Sequence, residues 1–234
     1  MIISKLSNFH SGKIFCLLFV IFLVMNRLSA QDKPVLLYIG DPMCSWCYGF
    51  APEMTKIADE LKEEVEIGLI MGGLRPYNTQ TMTDLADFLE EHWMQVSDRS
   101  GQPFTYDILQ KNYVYDTEPP ARACVVMRQL QPAKELAFFK DLQTLFYRDN
   151  KDMNSVESYL PTVKKYGVDP TEFRKLFSSP ELKIAVRADF EKAAALDVSG
   201  FPSLILRKGE EYYLIASGYT EAEKVLRTVR RILD

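Results

Sequence analysis

One stretch near the start of the chain limits the possible folds more than any other. The run Val35-Leu36-Leu37-Tyr38-Ile39 is apolar and rich in branched and aromatic residues, as a buried strand is. It feeds through Gly40-Asp41-Pro42 into Met43-Cys44-Ser45-Trp46-Cys47-Tyr48-Gly49-Phe50, and a segment of helical periodicity follows. Strand, turn, Cys-x-x-Cys and helix in that order put two thiols on a first helical turn, on one side of the backbone, where the sulfurs can close a small ring. Unpaired N–H groups and the positive end of the helix dipole favour an anion there, so Cys44 is the expected nucleophile. Cys47, one turn further in, is expected to be less exposed and to resolve a mixed disulfide by attacking the Cys44 sulfur.

A bare Cys-x-x-Cys is also compatible with half of a zinc site or with two unrelated thiols. Zinc needs two more ligands, and beyond residue 30 the other cysteines and histidines are Cys124 and His92, which form no second close pair. A redox pair is the favoured reading, with no metal and no cofactor expected. One histidine cannot build a metal cluster or a Ser-His-Asp triad, and no Gly-rich phosphate loop or Gly-x-Ser-x-Gly elbow is present.

Residues 1–30 read as a leader. Lys5 and Lys13 give a basic start, Ile14 to Met25 is an uncharged apolar core of 12 residues, and Asn26-Arg27-Leu28-Ser29-Ala30 ends on a small residue. A bilayer takes roughly 20 apolar residues to cross, so an export signal cut after Ala30 is expected, with a periplasmic or extracellular mature protein and no stable membrane span. Leu28 is not the small residue usual at its position, which keeps an uncleaved anchor open. Cys16 sits inside the apolar core, not at its end, and is not placed for lipid attachment.

The leader carries Lys5, Lys13 and Arg27 and no acid, leaving 25 basic against 32 acidic residues and a formal charge of −7. That balance argues against nucleic acid as a partner. With 47% hydrophobic residues the chain can bury a core, and three cysteines after the leader are too few and too odd in number for a disulfide-stapled scaffold.

In chain order, Ala51 to Glu64 reads as a helix, Val65 to Met71 as a second strand, and the two strands with their helix as a right-handed βαβ unit. From about residue 80 to 196 the pattern is helical, with pieces near Thr83–Ser97, Ala121–Gln131, Ala133–Arg148, Val156–Tyr166, Pro170–Phe177 and Pro180–Leu196. Strand character returns at Ser203–Arg207 and Tyr212–Ser217, and a last helix, Thr220–Leu233, opens on a threonine cap. The fold class is α/β, with an α-helical subdomain inserted into one domain spanning 33–234.

The Cys44-Ser45-Trp46-Cys47 turn after a first strand, the long helical insert, and Val198-Ser199-Gly200-Phe201-Pro202-Ser203 before a late strand together resemble a thioredoxin-fold protein of the DsbA family, closer to its FrnE-like branch than to the enterobacterial oxidant. The resemblance covers nearly all of Lys33 to Asp234. It implies a cis Phe201–Pro202 bond facing the redox turn, with Phe201 backbone groups presented to an extended substrate chain. Ser45 and Trp46 are expected to tune the thiol pair, and Trp46 either touches unfolded substrates or only packs.

Relatives often carry a buried acid six residues before the nucleophile, where this chain has Tyr38. Asp41 is read as a solvated turn residue, which leaves the proton acceptor for Cys47 unassigned. Asp116-Thr117 and Pro120-Ala121-Arg122 resemble the Asn-Thr and Ala-His-Arg residues that open the inserted helix in relatives. Ala121 stands where their histidine is found, and Asp116 and Thr117 are read as a helix cap. Cys124 reads as a buried small hydrophobe and His92 as a helix-surface residue.

The leading expectation is an exported thiol-disulfide oxidoreductase that exchanges disulfides with cysteine-containing proteins and works with a redox partner protein, its oxidase or isomerase direction open. The alternatives are a glutathione-dependent isomerase or transferase of the kappa type, against which Cys47 argues, and a redox-silent chaperone or binding module.

Overall fold

A computed structural model describes residues 33–198 and 200–234; the expected leader, Met1 to Ala30, and Ser199 of the late motif lie outside the described residues. Four strands, β1 (Val35–Gly40), β2 (Glu66–Met71), β3 (Ser203–Lys208) and β4 (Glu211–Ser217), make a sheet in the order β2-β1-β3-β4. β1 runs parallel to β2 and antiparallel to β3, and β3 runs antiparallel to β4. The central position of β1 explains its unbroken apolar sequence: every residue after Val35 is buried. β4 lies at the border, and its Tyr212 and Leu214 side chains are exposed.

Eight helices accompany the described sheet: α1 (Ser45–Leu61), α2 (Ala86–Ser100), α3 (Glu118–Leu130), α4 (Glu135–Tyr147), α5 (Leu160–Lys165), α6 (Pro170–Phe177), α7 (Pro180–Ala195) and α8 (Ala222–Leu233). α2 to α7 all fall between β2 and β3 and form the helical insertion. α1 packs against α8, while α7 packs on β2. An aromatic cluster joins the insertion to α1: Tyr48 stacks on Tyr147 with centroids 5.0 Å apart, and Trp93 meets Tyr147 edge-on at 5.0 Å. Among the described residues no helix is long and apolar enough to cross a membrane.

Several helix starts shift by two to six residues from expectation, and two of them bear on the site. α1 begins at Ser45, not Ala51, because six of the seven residues from Ser45 to Ala51 are buried and leave no polar face for periodicity to reveal. It also runs through Pro52, which has no N–H for the Tyr48 carbonyl; the Gln102 side-chain amide donates to that oxygen instead, at 3.0 Å. α8 has no threonine cap. Glu221 holds the cap position, and the Ala222 N–H donates to Glu53 of α1 at 2.7 Å, so a carboxylate from a neighbouring helix satisfies the N-terminus.

The outer border of β2 is closed by side chains. Arg128 Nη2 donates to the Leu69 carbonyl at 2.8 Å, and the Met71 N–H donates to Asp189 at 3.0 Å. Arg128 also bonds Asp189 at 2.7 Å and Glu135 at 2.8 Å, tying α3, α4 and α7 to that border. Burial pushes the Glu135 carboxyl up to about 7, against the opposing pull of Arg128.

Candidate active site

The turn after β1 is built by Asp41. Its Oδ1 accepts the Met43 N–H at 2.8 Å, the Cys44 N–H donates to its carbonyl at 3.1 Å, and its Oδ2 accepts the Leu74 N–H at 2.9 Å. Asp41 is therefore not the solvated turn residue that its sequence suggests; it is fully buried. The Asp-Pro pattern announces a turn, but not that residues 72–74 fold over it. Burial raises its carboxyl to about 6, with the Leu74 and Met43 N–H groups and the Thr117 hydroxyl pulling the other way.

Cys44 occupies the N-cap position of α1 and Cys47 lies in its first turn. Both are free thiols. Cys44 is 5% exposed and Cys47 is fully buried. Burial, then the hydrogen bond to Cys44, push the Cys47 thiol up. Tyr38 points its hydroxyl toward Cys47, and no aligned hydrogen-bond partner satisfies it. Tyr115 donates to the Met43 carbonyl at 2.6 Å and so braces the redox turn from the insertion.

Across from the thiols the Phe201–Pro202 peptide is cis. The Cys44 thiol donates to the Phe201 carbonyl oxygen at 3.6 Å, and the Pro202 carbonyl accepts the Gly218 N–H at 2.7 Å. A cavity of about 220 Å³ opens at Cys44, walled by Phe88, His92, Trp93, Tyr115 and Phe201, with Arg75 also in its lining. A second, of about 320 Å³, lies beside it between Trp46, Arg99, Phe201, Gly218 and Tyr219. Ser45 and Trp46 line the first, and Trp46 is shared by both.

His92 corrects its expected place: it is half-buried at the cavity rim, stacked on Phe88 at 5.8 Å and edge-on to Trp46 at 6.0 Å, and burial lowers its pKa. Asp116 and Thr117 do open α3, but not as a simple cap. Asp116 accepts the N–H groups of Glu118 and Tyr77, and Thr117 accepts the Arg75 N–H, so together they fasten the segment after β2 to α3. Ala121 and Cys124 are fully buried on α3. Sequence reasoning missed Arg75, Phe88, Trp93, Tyr115 and Tyr219; only Tyr115 gave a signal, as the neighbour of the Asp116-Thr117 pair. Among the described residues no cluster of three or more His, Cys, Asp or Glu side chains could hold a metal ion.

The class follows from this arrangement: a thioredoxin fold with a helical insertion, carrying the thiol pair of the DsbA-type disulfide oxidoreductases. A family model described as thioredoxin matches residues 37–225, and the chain belongs to that family. It is similar to the crystal structure of a candidate protein disulfide isomerase from Nitrosomonas europaea, with 34% identity, a TM-score of 0.80, and coverage of 86% of this chain and 98% of that one. The cytosolic disulfide reductase DsbM from Pseudomonas aeruginosa shares the fold, at 23% identity and a TM-score of 0.72 over 85% of this chain and 99% of that one.

Among curated proteins, the ClpXP adapter protein SpxH of Halalkalibacterium halodurans is 22% identical over 77% of this chain, and its Bacillus subtilis counterpart 23% identical over 74%. The chain spans 61% and 58% of the length of those two relatives.

Proposed function

We propose that the chain exchanges disulfides with cysteine-containing proteins through Cys44 and Cys47. The observation that carries this reading is the Cys44 sulfur, 3.6 Å from the Phe201 carbonyl and open to a cavity, with Cys47 buried behind it. In the oxidising direction a substrate thiolate attacks Cys44 of the Cys44–Cys47 disulfide, its sulfur bonds to Cys44, and Cys47 leaves as a thiolate that takes up a proton. A second substrate thiolate then displaces Cys44 and closes the substrate disulfide, so two electrons pass to the thiol pair. In the reducing direction the steps reverse: Cys47 loses its proton, attacks Cys44 and releases the substrate. Asp41, fully buried like Cys47 and close enough for its charge and backbone to act on that thiol, with its carboxyl raised to about 6 by burial, is the acceptor we assign to that proton.

Export belongs to the same proposal and rests on Lys5, Lys13 and the apolar core Ile14 to Met25. Fractionation with amino-terminal sequencing tests it: recovery of the full-length chain in the cytosol overturns it. The proposal itself is tested by insulin reduction and by refolding of a reduced, denatured protein. Cys44→Ser is expected to lose both activities, and full activity in that variant overturns the reading.

A second reading, a glutathione-dependent isomerase or transferase, is favoured by Arg75, a cation in the cavity lining that donates to Gln80 at 3.1 Å and lies over the Tyr115 ring. DsbM has been crystallised with glutathione. Turnover with glutathione that survives Cys47→Ala would favour it over the dithiol route.

A further inference from the structure

We propose that Gly72 is a specificity-determining residue: it seats the Phe201 ring against the end of β2 and keeps a chamber open on each side of that ring, for an extended peptide with a side chain on either side of the attacked sulfur. The inference rests on the thiol-disulfide reading above and adds to it the shape of substrate that the cleft admits.

The seat is tight. A Cβ at position 72 would lie 2.3 Å from the Phe201 Cε1 and Cζ atoms and 2.8 Å from Cε2, far inside van der Waals contact. The backbone at Gly72 is pinned on one side, where its N–H donates to the Gly40 carbonyl at 2.7 Å, and two residues on, where Leu74 donates to Asp41 at 2.9 Å. Phe201 is held as firmly, by its carbonyl facing Cys44 at 3.6 Å and by the Pro202 carbonyl bonded to Gly218 at 2.7 Å. A methyl group at 72 therefore has one easy way out, which is to swing the ring off its seat.

The ring packs on one side against the buried cluster of Leu37, Ile39, Ile70 and Ile205 and lines both the cavity of about 220 Å³ at Cys44 and the one of about 320 Å³ beside Trp46, so the open space for a displaced ring is the cleft. At ~30 Å³ for a water in the liquid, each has room for one large side chain and not for a folded surface. The first is walled by Phe88, Leu89 and Trp93, the second by Trp46 and Tyr219, so apolar side chains fit both. Arg75 and Arg99 stand one in each lining. Displacing the ring narrows a chamber and penalises a substrate that must fill it; a disulfide with no flanking side chains loses much less.

The test compares kcat/KM for two disulfides, a linear peptide whose mixed-disulfide cysteine is flanked by leucines and the small hydroxyethyl disulfide. In Gly72→Ala the ratio of peptide to small-disulfide kcat/KM is expected to fall about tenfold, the loss sitting in KM. Adding Phe201→Ala to Gly72→Ala removes the clash, so the double variant is expected to match Phe201→Ala alone in peptide KM. Phe201→Ala alone, which leaves the seat intact, supplies the same comparison if Gly72→Ala does not fold: it should merge the chambers and weaken the preference for leucine over glycine flanks. Equal losses on both disulfides in Gly72→Ala, no loss, or a double variant with a peptide KM clearly worse than that of Phe201→Ala overturns the seat. A wild-type protein that turns over neither disulfide overturns the thiol-disulfide reading instead.

Discussion

The sulfur of Cys44 and the carbonyl oxygen of Phe201 lie 3.6 Å apart although the residues are 157 positions apart in the chain. The contact brings the turn after β1 against the segment that enters β3, two neighbouring strands whose antiparallel pairing sets Ile39 opposite Ser203. Cys44 and the Phe201 carbonyl are thus brought together by one pair of central strands, while the insertion adds walls to the cavity at Cys44 and the Tyr115 brace on the redox turn.

That division of labour predicts the behaviour of Cys47→Ala. With the buried thiol gone, Cys44 can still form a mixed disulfide but nothing displaces it. Complexes with substrate proteins should accumulate on non-reducing gels and disappear with reductant. An unchanged amount of complex relative to wild type contradicts the assigned roles.

Asp41 should give stability and activity opposite slopes against pH. Its carboxyl is held at about 6 in the fold against an ordinary 3.8, so the folded state binds its proton more tightly than the unfolded state. Stability from this group is complete below pH ~4 and is lost as pH rises to ~6, by on the order of 3 kcal/mol. Reduction of substrate, which needs the ionised form, should rise through the same interval. Asp41→Asn is expected to flatten both profiles in urea titrations and stopped-flow measurements. Glu135, at about 7, adds a loss of the same sign extending to higher pH, so the difference between variant and wild type is the quantity to read.

Tyr38 carries a buried hydroxyl without an aligned partner. Tyr38→Phe keeps the ring contacts with Phe50 and Phe139, at 5.9 and 5.6 Å, and removes the unsatisfied group. The variant should be more stable by about 1 kcal/mol in denaturant titration. A loss of stability would mean that the hydroxyl is bonded in solution.

Arg128 offsets two largely buried carboxylates at once. Arg128→Met leaves Asp189 and Glu135 without their cation and the Leu69 carbonyl without its donor. The expected cost is roughly 3 to 5 kcal/mol, read from the shift of the urea midpoint. Replacing all three charged residues by apolar ones of similar volume should recover much of it.

The strands, the thiol pair and the Phe201-Pro202 segment were legible because each is written in a short local pattern: an apolar run, a two-residue spacing, a proline before a strand. Asp41 was not, since its burial depends on Leu74, more than thirty positions away, closing over it. His92 looked like a surface residue because Trp46 reaches it from α1, beside the local stack on Phe88 one turn back on α2. The α8 cap came from Glu53, a partner no local reading of Thr220 could find. Contacts with residues on other elements, not propensities, account for these differences.

The sheet has two unlike borders. On the β2 side Arg128 and Asp189 occupy backbone positions that a visiting strand would need, and any intruder would have to displace a guanidinium and a carboxylate to gain them. The disulfide exchange proposed above would bring extended segments, each with unpaired backbone groups, against the sheet. Here that flank is closed to them, so no such segment can lengthen the sheet at β2.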